Sequence, residues 1–122
     1  MTTVQLVLVI PWPPSVNGYW RTFGGRQILS KRGRVFREAG ALAIASQVSA
    51  DRPPMTGRLA VEITLCPPTV RSFDIDNFAK APLDLLTHVG IWADDSQVDS
   101  LTIRRDKKRK GGCAMVTIRR LV

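Results

Sequence analysis

Two runs of strand-forming residues, each closed by prolines, most strongly limit what this chain can fold into. The first run is Val4 to Ile10 (VQLVLVI), and prolines follow it at positions 11, 13 and 14. The second is Leu59 to Cys66, in which the apolar residues Leu59, Val61, Ile63 and Leu65 alternate, and Pro67-Pro68 closes it. Because proline cannot donate to a β-ladder, both runs must end there. The pattern predicts two buried strands within a chain of 122 residues, which is long enough to enclose a core.

Helix and hairpin signals fill the interval between these runs. Residues 11–17 are predicted to form an irregular loop, and Tyr19–Phe23 with Arg26–Leu29 a short hairpin around Gly24-Gly25. Ser30 is a suitable N-cap for a helix over residues 31–49. Its predicted buried stripe consists of Val35, Ala39, Leu42, Ala45 and Val48.

The second half of the chain predicts one more helix and two more strands. A helical pattern runs from Asp76 to Val89 and stops at Gly90, but the regular part could begin only at Pro82. Strands are predicted at residues 100–105 and 113–121, joined by a basic turn that ends in two glycines. Residues 1–122 are thus predicted to form a single domain of the α+β class, a small mixed β-sheet with two helices packed on one face.

Several protein classes lack their signals in this chain. No apolar run approaches the roughly 20 residues that span a bilayer, and the N-terminus lacks the positive region of a secretory signal. We therefore expect a cytoplasmic protein without membrane contact. Cys66 and Cys113 lie far apart in the sequence without metal-ligand spacing, which favours buried reduced thiols. His88 is interpreted as a helix C-terminal residue rather than a ligand.

The charges of the chain are unevenly distributed. Lys and Arg number 18 and Asp and Glu number 10, for a formal net charge of +8, which favours a polyanionic partner such as nucleic acid. Residues 74–99 nevertheless hold six of the acids and a single base. Carboxylates repel phosphate, so the acidic segment is unexpected in a protein that binds nucleic acid. A divalent cation bound there would make the local charge positive and allow a phosphate to approach.

Two pairs of aspartates lie in the acidic segment. Extended backbone would point Asp74 and Asp76 to the same side, and Asp94-Asp95 is expected in a turn at one end of the sheet. Folding that joins the pairs would create an all-oxygen site suited to Mg²⁺ or Mn²⁺. The structural alternatives are an N-cap at Asp74, a first-turn acid at Asp76 and ordinary turn residues at 94 and 95.

Lys80 stands four residues from both Asp76 and Asp84. One interpretation is an exposed ladder of helical ion pairs. The other is a cation beside the metal that orients the attacking water or stabilises charge on the phosphate. The spacing alone leaves both open, although Pro82 weakens the ladder.

Basic and aromatic side chains provide candidate DNA contacts. Cations crowd the first turns of the helix that follows Ser30, where they oppose the helix dipole and a bound phosphate would explain them. A basic run over residues 104–110 presents its tip, residues 107–110, to a backbone or to solvent. Phe73 could stack on a base or anchor its own loop. The candidate contacts are Lys31, Arg32, Arg34, Arg37, Arg71, Phe73, Lys107, Lys108, Arg109 and Lys110.

The acidic segment resembles the RusA family of Holliday junction resolvases. The similar stretches are Asp74-Ile-Asp-Asn-Phe-Ala-Lys80, Asp84-Leu-Leu and Gly90-Ile-Trp-Ala-Asp-Asp95-Ser-Gln-Val98, with an opening loop at Pro13-Pro14-Ser15-Val16-Asn17. The resemblance implies a homodimeric, Mg²⁺-dependent endonuclease, often carried by phages or prophages, with Mn²⁺ as a substitute. It would resolve four-way DNA junctions by paired symmetric nicks in recombination and repair.

The resemblance also assigns roles to residues. It implies metal binding by Asp74, Asp76 and Asp95 and assistance by Lys80, whereas Asp94 could ligate through water or only shape the turn. The sequence does not define the dimer surface; its candidates are the side of the first strand with Val7 and Val9, and the region around Trp92. The alternatives are a non-catalytic basic nucleic-acid-binding protein and a metal-dependent nucleotide phosphohydrolase.

Overall fold

The computed structural model describes residues 5–122, so the predicted strand residue Val4 lies outside the described part. The strands are β1 (Gln5–Pro11), β2 (Trp20–Phe23), β3 (Arg26–Leu29), β4 (Leu59–Cys66), β5 (Val98–Arg105) and β6 (Cys113–Arg120). The helices are α1 (Val16–Tyr19), α2 (Lys31–Ala45) and α3 (Lys80–His88), with 3₁₀ turns at Ile75–Phe78 and Asp95–Gln97.

Four of the strands form one mixed sheet in the order β1-β6-β4-β5. β6 pairs antiparallel with both β1 and β4, whereas β5 pairs parallel with β4. β2 and β3 form a separate antiparallel hairpin whose turn residues Gly24 and Gly25 both have positive φ. The predicted α+β class with a mixed sheet is confirmed.

Alternation along the strands decides which sheet face is covered. Leu8, Ile63 and Val116 are fully buried and occupy paired positions on three adjacent strands. Each such side chain contributes roughly 1.5–3 kcal/mol by burial, and together with α2 and α3 they form the core. Val7 and Val9 project to the opposite face of β1 and remain 49% and 44% exposed.

The prediction for the buried face of α2 is wrong. Val35 and Leu42 are 57% and 75% exposed, whereas Phe36, Gly40 and Ile44 are buried. These three residues also recur every four positions, but a search for apolar side chains does not detect the glycine among them. An added Cβ at Gly40 would collide with the Leu85 side chain, so close packing of α2 on α3 selects this face.

Element boundaries differ from the predictions where local hydrogen bonds intervene. Val16 and Asn17 belong to α1, because the Ser15 hydroxyl accepts from the Gly18 N–H and starts a helical turn. α2 ends at Ala45, four residues before the predicted end. Pro82 is the third residue of α3 and therefore lies in the first turn, where an N–H has no acceptor within the helix. Gly90, with φ of 81°, ends that helix as predicted.

The two cysteines are cross-strand neighbours on β4 and β6, although they are distant in the sequence. Both are free thiols, as predicted; Cys66 is buried and Cys113 only half-buried. Burial and the adjacent Cys113 raise the pKa of Cys66. His88 is the last residue of α3, as predicted. None of the helices between residues 5 and 122 is long and apolar enough to cross a membrane.

Candidate active site

The acidic segment folds along the β5 edge of the sheet. The 3₁₀ turn Ile75–Phe78 packs against β5 and α3, and α3 in turn contacts the second 3₁₀ turn, Asp95–Gln97. Both turns that carry the predicted aspartates therefore contact the same helix. Asp74, Asp76 and Asp94 are exposed, and Asp95 is half-buried.

The backbone around Asp74 and Asp76 differs from the predicted extended stretch. Asp74 is extended, with φ −92° and ψ 120°, but Ile75 already begins the 3₁₀ turn. Residues of a 3₁₀ turn advance about 120° each, so backbone geometry does not point positions 74 and 76 to the same side. Asp74 occupies the N-cap position, yet its side chain makes no capping hydrogen bond. The capping alternative for Asp74 is not what the structure adopts.

Lys80 pairs with an aspartate that is distant in sequence. Its Nζ lies 3.9 Å from Oδ2 of Asp95, and the two side chains are 46% and 37% exposed. Among the ion pairs within residues 5–122, none joins Lys80 to Asp76 or Asp84, so the helical ladder is not formed. The ammonium is thus directed at one of the proposed metal ligands.

Asp94 shapes the turn that presents Asp95. Its carboxylate accepts from the Ser96 hydroxyl, and its backbone N–H donates to Gln97 Oε1 at 3.1 Å. Gln97 Nε2 in turn donates to the carbonyls of Met55 and Gly57, each at 3.0 Å. Gln97 therefore anchors this turn to the segment before β4, a role that sequence reasoning missed.

The donor chemistry of the segment fits a hard divalent cation. Asp74, Asp76 and Asp95 offer carboxylate oxygens, the ligands that Mg²⁺ and Mn²⁺ prefer, and neither Asp74 nor Asp76 has a basic partner among the ion pairs found in residues 5–122. Three acidic, His or Cys side chains do not converge on one point anywhere in that range. Joint metal binding by these three aspartates therefore stays a prediction.

An aromatic cluster supports the loop that carries Asp74. The ring of Phe73 forms T-shaped pairs with Trp12 and Phe78, with centroids 5.5 and 5.1 Å apart. The guanidinium of Arg105 covers the ring of Phe73, 4.3 Å from its centroid. This packing supports the loop-anchor interpretation of Phe73, while stacking on a DNA base stays a prediction.

Arg37, a predicted DNA contact, is partly buried and paired with an aspartate of α3. Its guanidinium donates to Oδ2 of Asp84 at 2.6 Å, and the Tyr19 hydroxyl donates to the same oxygen. Burial and the Asp84 hydrogen bond raise the pKa of Tyr19 to about 12. Burial alone would raise the pKa of Asp84, but the hydrogen bonds from Tyr19 and Arg37 outweigh it and hold that pKa below its ordinary value. The triad fixes α3 one turn after Lys80.

We expect Asp84→Asn to lower the free energy of unfolding by ~2 kcal/mol at pH 7, because charged hydrogen bonds are lost in a half-buried place. A depressed carboxyl pKa stabilises the fold fully above the unfolded-state value near 3.8, and this stabilisation is lost as pH falls through the lower folded-state pKa. The difference between the two proteins in urea unfolding should therefore shrink below about pH 4.

Asp99→Asn provides the matched control for this prediction. The Asp99 pair with Arg58 is exposed, with side chains 46% and 55% accessible, and exposed ion pairs contribute little to stability. Equal losses in the two variants would contradict the structural weight given to the Tyr19, Arg37 and Asp84 triad.

The other predicted DNA contacts lie in two exposed groups. Lys31, Arg32 and Arg34 surround the start of α2, where the Ser30 hydroxyl caps the Gly33 N–H at 2.9 Å. Backbone hydrogen bonds from Asp106 to Leu65 and from Arg109 to Pro67 tie the β5–β6 connection to the end of β4. That connection and the loop that leads to Asp74 therefore share one end of the sheet. The exposed bases there are Arg71, Lys107, Lys108, Arg109 and Lys110.

The predicted dimer surface divides into an exposed and a buried part. Val7 and Val9 are accessible on the open face of β1. Trp92 is fully buried, and its indole Nε1 donates to Thr87 Oγ1 at 2.7 Å. The Trp92 side chain is thus part of the core, whereas Ala93 and Asp94 beside it are exposed, and a dimer surface in this region stays a prediction.

Comparisons with known proteins cover nearly the whole chain. The family model described as endodeoxyribonuclease RusA matches residues 11–119. A crossover junction endodeoxyribonuclease RusA of Enterobacteria phage 82 is 34% identical over 111 residues, which is 91% of each chain. The protein of that name from Escherichia coli K12 has the same identity and coverage, and that of Enterobacteria phage HK97 is 36% identical over 104 residues, 85% of each chain. The family that the acidic segment resembles is therefore confirmed: this chain belongs to the endodeoxyribonuclease RusA family.

Proposed function

We propose that this chain is a Mg²⁺-dependent crossover junction endodeoxyribonuclease, which resolves four-way DNA junctions by paired symmetric nicks in the cytoplasm of a bacterial or phage-infected cell. The names of its relatives support the reaction class. One observation of the site carries the proposal: Lys80, at the start of α3, lies 3.9 Å from Asp95, and α3 contacts both the turn that contains Asp76 and the turn that contains Asp95.

In this proposal Asp74, Asp76 and Asp95 hold the divalent cation. When bound, the cation supplies a water of lowered pKa and neutralises the scissile phosphate. Lys80 stabilises negative charge that builds on the phosphate during in-line attack, because its ammonium lies 3.9 Å from Asp95, one of the proposed metal ligands. The products would carry a 5′-phosphate and a 3′-hydroxyl.

The exposed basic groups would position the junction. Residues 107–110 and the start of α2 contact flanking phosphates, which orients the substrate without reading its bases. A four-way junction is close to two-fold symmetric and needs two opposed nicks, so one acidic site per chain favours a homodimer with two-fold symmetry. Mn²⁺ would substitute for Mg²⁺ because both accept oxygen ligands.

The test uses a labelled synthetic four-way junction with Mg²⁺ or Mn²⁺, and a linear duplex of the same sequence as the control. The proposal predicts metal-dependent nicks at symmetric positions in opposed strands of the junction, with the duplex intact. Tight junction binding without cleavage in either metal would favour the non-catalytic alternative, and it would overturn the proposed reaction.

A further inference from the structure

Arg105 makes two contacts with the residue that directly precedes Asp74. Its guanidinium stacks on the Phe73 ring, 4.3 Å from the centroid, and one of its terminal nitrogens donates to the Phe73 carbonyl oxygen. That carbonyl belongs to the peptide unit that links Phe73 to Asp74. Arg105 therefore constrains both the side chain and the peptide plane on which the orientation of Asp74 depends.

Strand alternation separates Arg105 from the arginine next to it. Arg105 is the Cα partner of Leu65, so it projects to the helix-covered face, toward the acidic segment. Arg104 is paired with Thr64 and projects to the open face, where its guanidinium contacts Glu62 at 2.5 Å and Thr64 Oγ1 at 3.2 Å. The two adjacent arginines thus have different surroundings, and Arg105 is the one that touches the loop of the candidate site.

The other restraints on Asp74 act on its backbone, where its carbonyl oxygen accepts from the Asn77 N–H at 3.2 Å. The Asp74 side chain makes no capping hydrogen bond, and the residue itself is extended before the 3₁₀ turn. Trp12 and Phe78 pack against the Phe73 ring at interplanar angles of 81° and 71°, and the Arg105 guanidinium lies over the same ring. A planar guanidinium can stack and donate at the same time, whereas an ammonium offers a point charge without a stacking surface.

We infer that Arg105 is a positioning residue, which orients Asp74 for metal binding through Phe73 and does not act as a DNA contact. The inference rests on the proposed function, because it assigns Arg105 to the same site. Under this inference Arg105 is not part of the DNA-binding surface, although it lies within the basic run over residues 104–110.

The test compares Arg105→Lys and Arg105→Gln with Arg104→Gln as the matched control. In single-turnover nicking of the junction, both Arg105 variants should lower the rate by about tenfold or more, because small misplacement of a reacting group is costly. Their junction affinity, measured without divalent metal, should stay within about twofold of that of the control, since no phosphate contact is lost. In calorimetry without DNA, both should bind Mn²⁺ about tenfold or more weakly, the usual effect of losing a supporting contact.

The lysine variant separates positioning from simple charge. Arg105→Lys with the nicking rate and Mn²⁺ affinity of the control would overturn the inference, because charge alone would then suffice. Loss of junction affinity in Arg105→Gln with Mn²⁺ binding unchanged would overturn it as well and would make Arg105 a DNA contact. A wild-type protein that nicks no junction would instead refute the proposed function, whereas the Mn²⁺ affinities would still test the positioning role.

Discussion

Replacing Asp76 with asparagine is expected to slow junction nicking at saturating Mg²⁺ by at least about 100-fold, because loss of even a supporting contact of a metal site costs 10- to 100-fold. The change keeps the size of the side chain and removes one anionic ligand. Junction binding without metal should persist or tighten, since a charge that repels phosphate is gone. Single-turnover nicking and fluorescence anisotropy with a labelled junction measure the two effects separately.

Asp51→Asn is the matched control for this prediction. Asp51 is exposed after the end of α2 and outside the acidic segment, so the variant makes the same change in net charge. It should nick the junction at the wild-type rate. If Asp76→Asn also nicked within about tenfold of wild type, Asp76 would not be a metal ligand.

Replacing Lys80 with methionine is expected to lower kcat by about 10² to 10³, the usual effect of removing one group that stabilises transition-state charge. The ion pair with Asp95 is half-exposed on both sides, so its loss should reduce the free energy of unfolding by under about 1 kcal/mol. A large kinetic effect with little change in Tm distinguishes a functional lysine from a structural one. Lys80→Arg, which keeps the charge, should retain part of the activity.

Lys108→Met provides the contrast, because Lys108 is exposed in the β5–β6 connection. Loss of one phosphate contact there should weaken junction binding and reduce the salt slope by about 1, with kcat unchanged. If Lys80→Met instead changed only the junction affinity and its salt dependence, Lys80 would be a contact to the DNA backbone. The proposed mechanism would then lack the ammonium that stabilises charge on the phosphate.

The sequence correctly predicted those parts of the fold that depend on residues close together in the chain. β4 spans the predicted Leu59–Cys66, since alternation and flanking prolines are both local. Gly90 and the turns at 24–25 and 111–112 adopt positive φ, which glycine permits. The acidic segment was likewise visible as a motif, because its residues lie close together in the chain.

Long-range packing decided what the sequence could not show. The close packing of Gly40 on Leu85 determines which face of α2 is buried. The stripe of larger apolar side chains that the sequence suggested does not form that face. The ion pair of Arg37 with Asp84 could not be predicted, because the two residues lie 47 positions apart in the sequence. Alternation along the strand predicts which sheet face Arg105 occupies. Its contact with Phe73 could not be predicted, because the two residues are distant in the sequence.

The central claim is that Asp74, Asp76 and Asp95 share one divalent-cation site. Anomalous diffraction from crystals grown with Mn²⁺ tests it most directly, because the ion is located without any assumption about activity. The account predicts an anomalous peak within about 2.5 Å of carboxylate oxygens from all three residues. A peak bound elsewhere, or an ion held without Asp74 or Asp95, would contradict it.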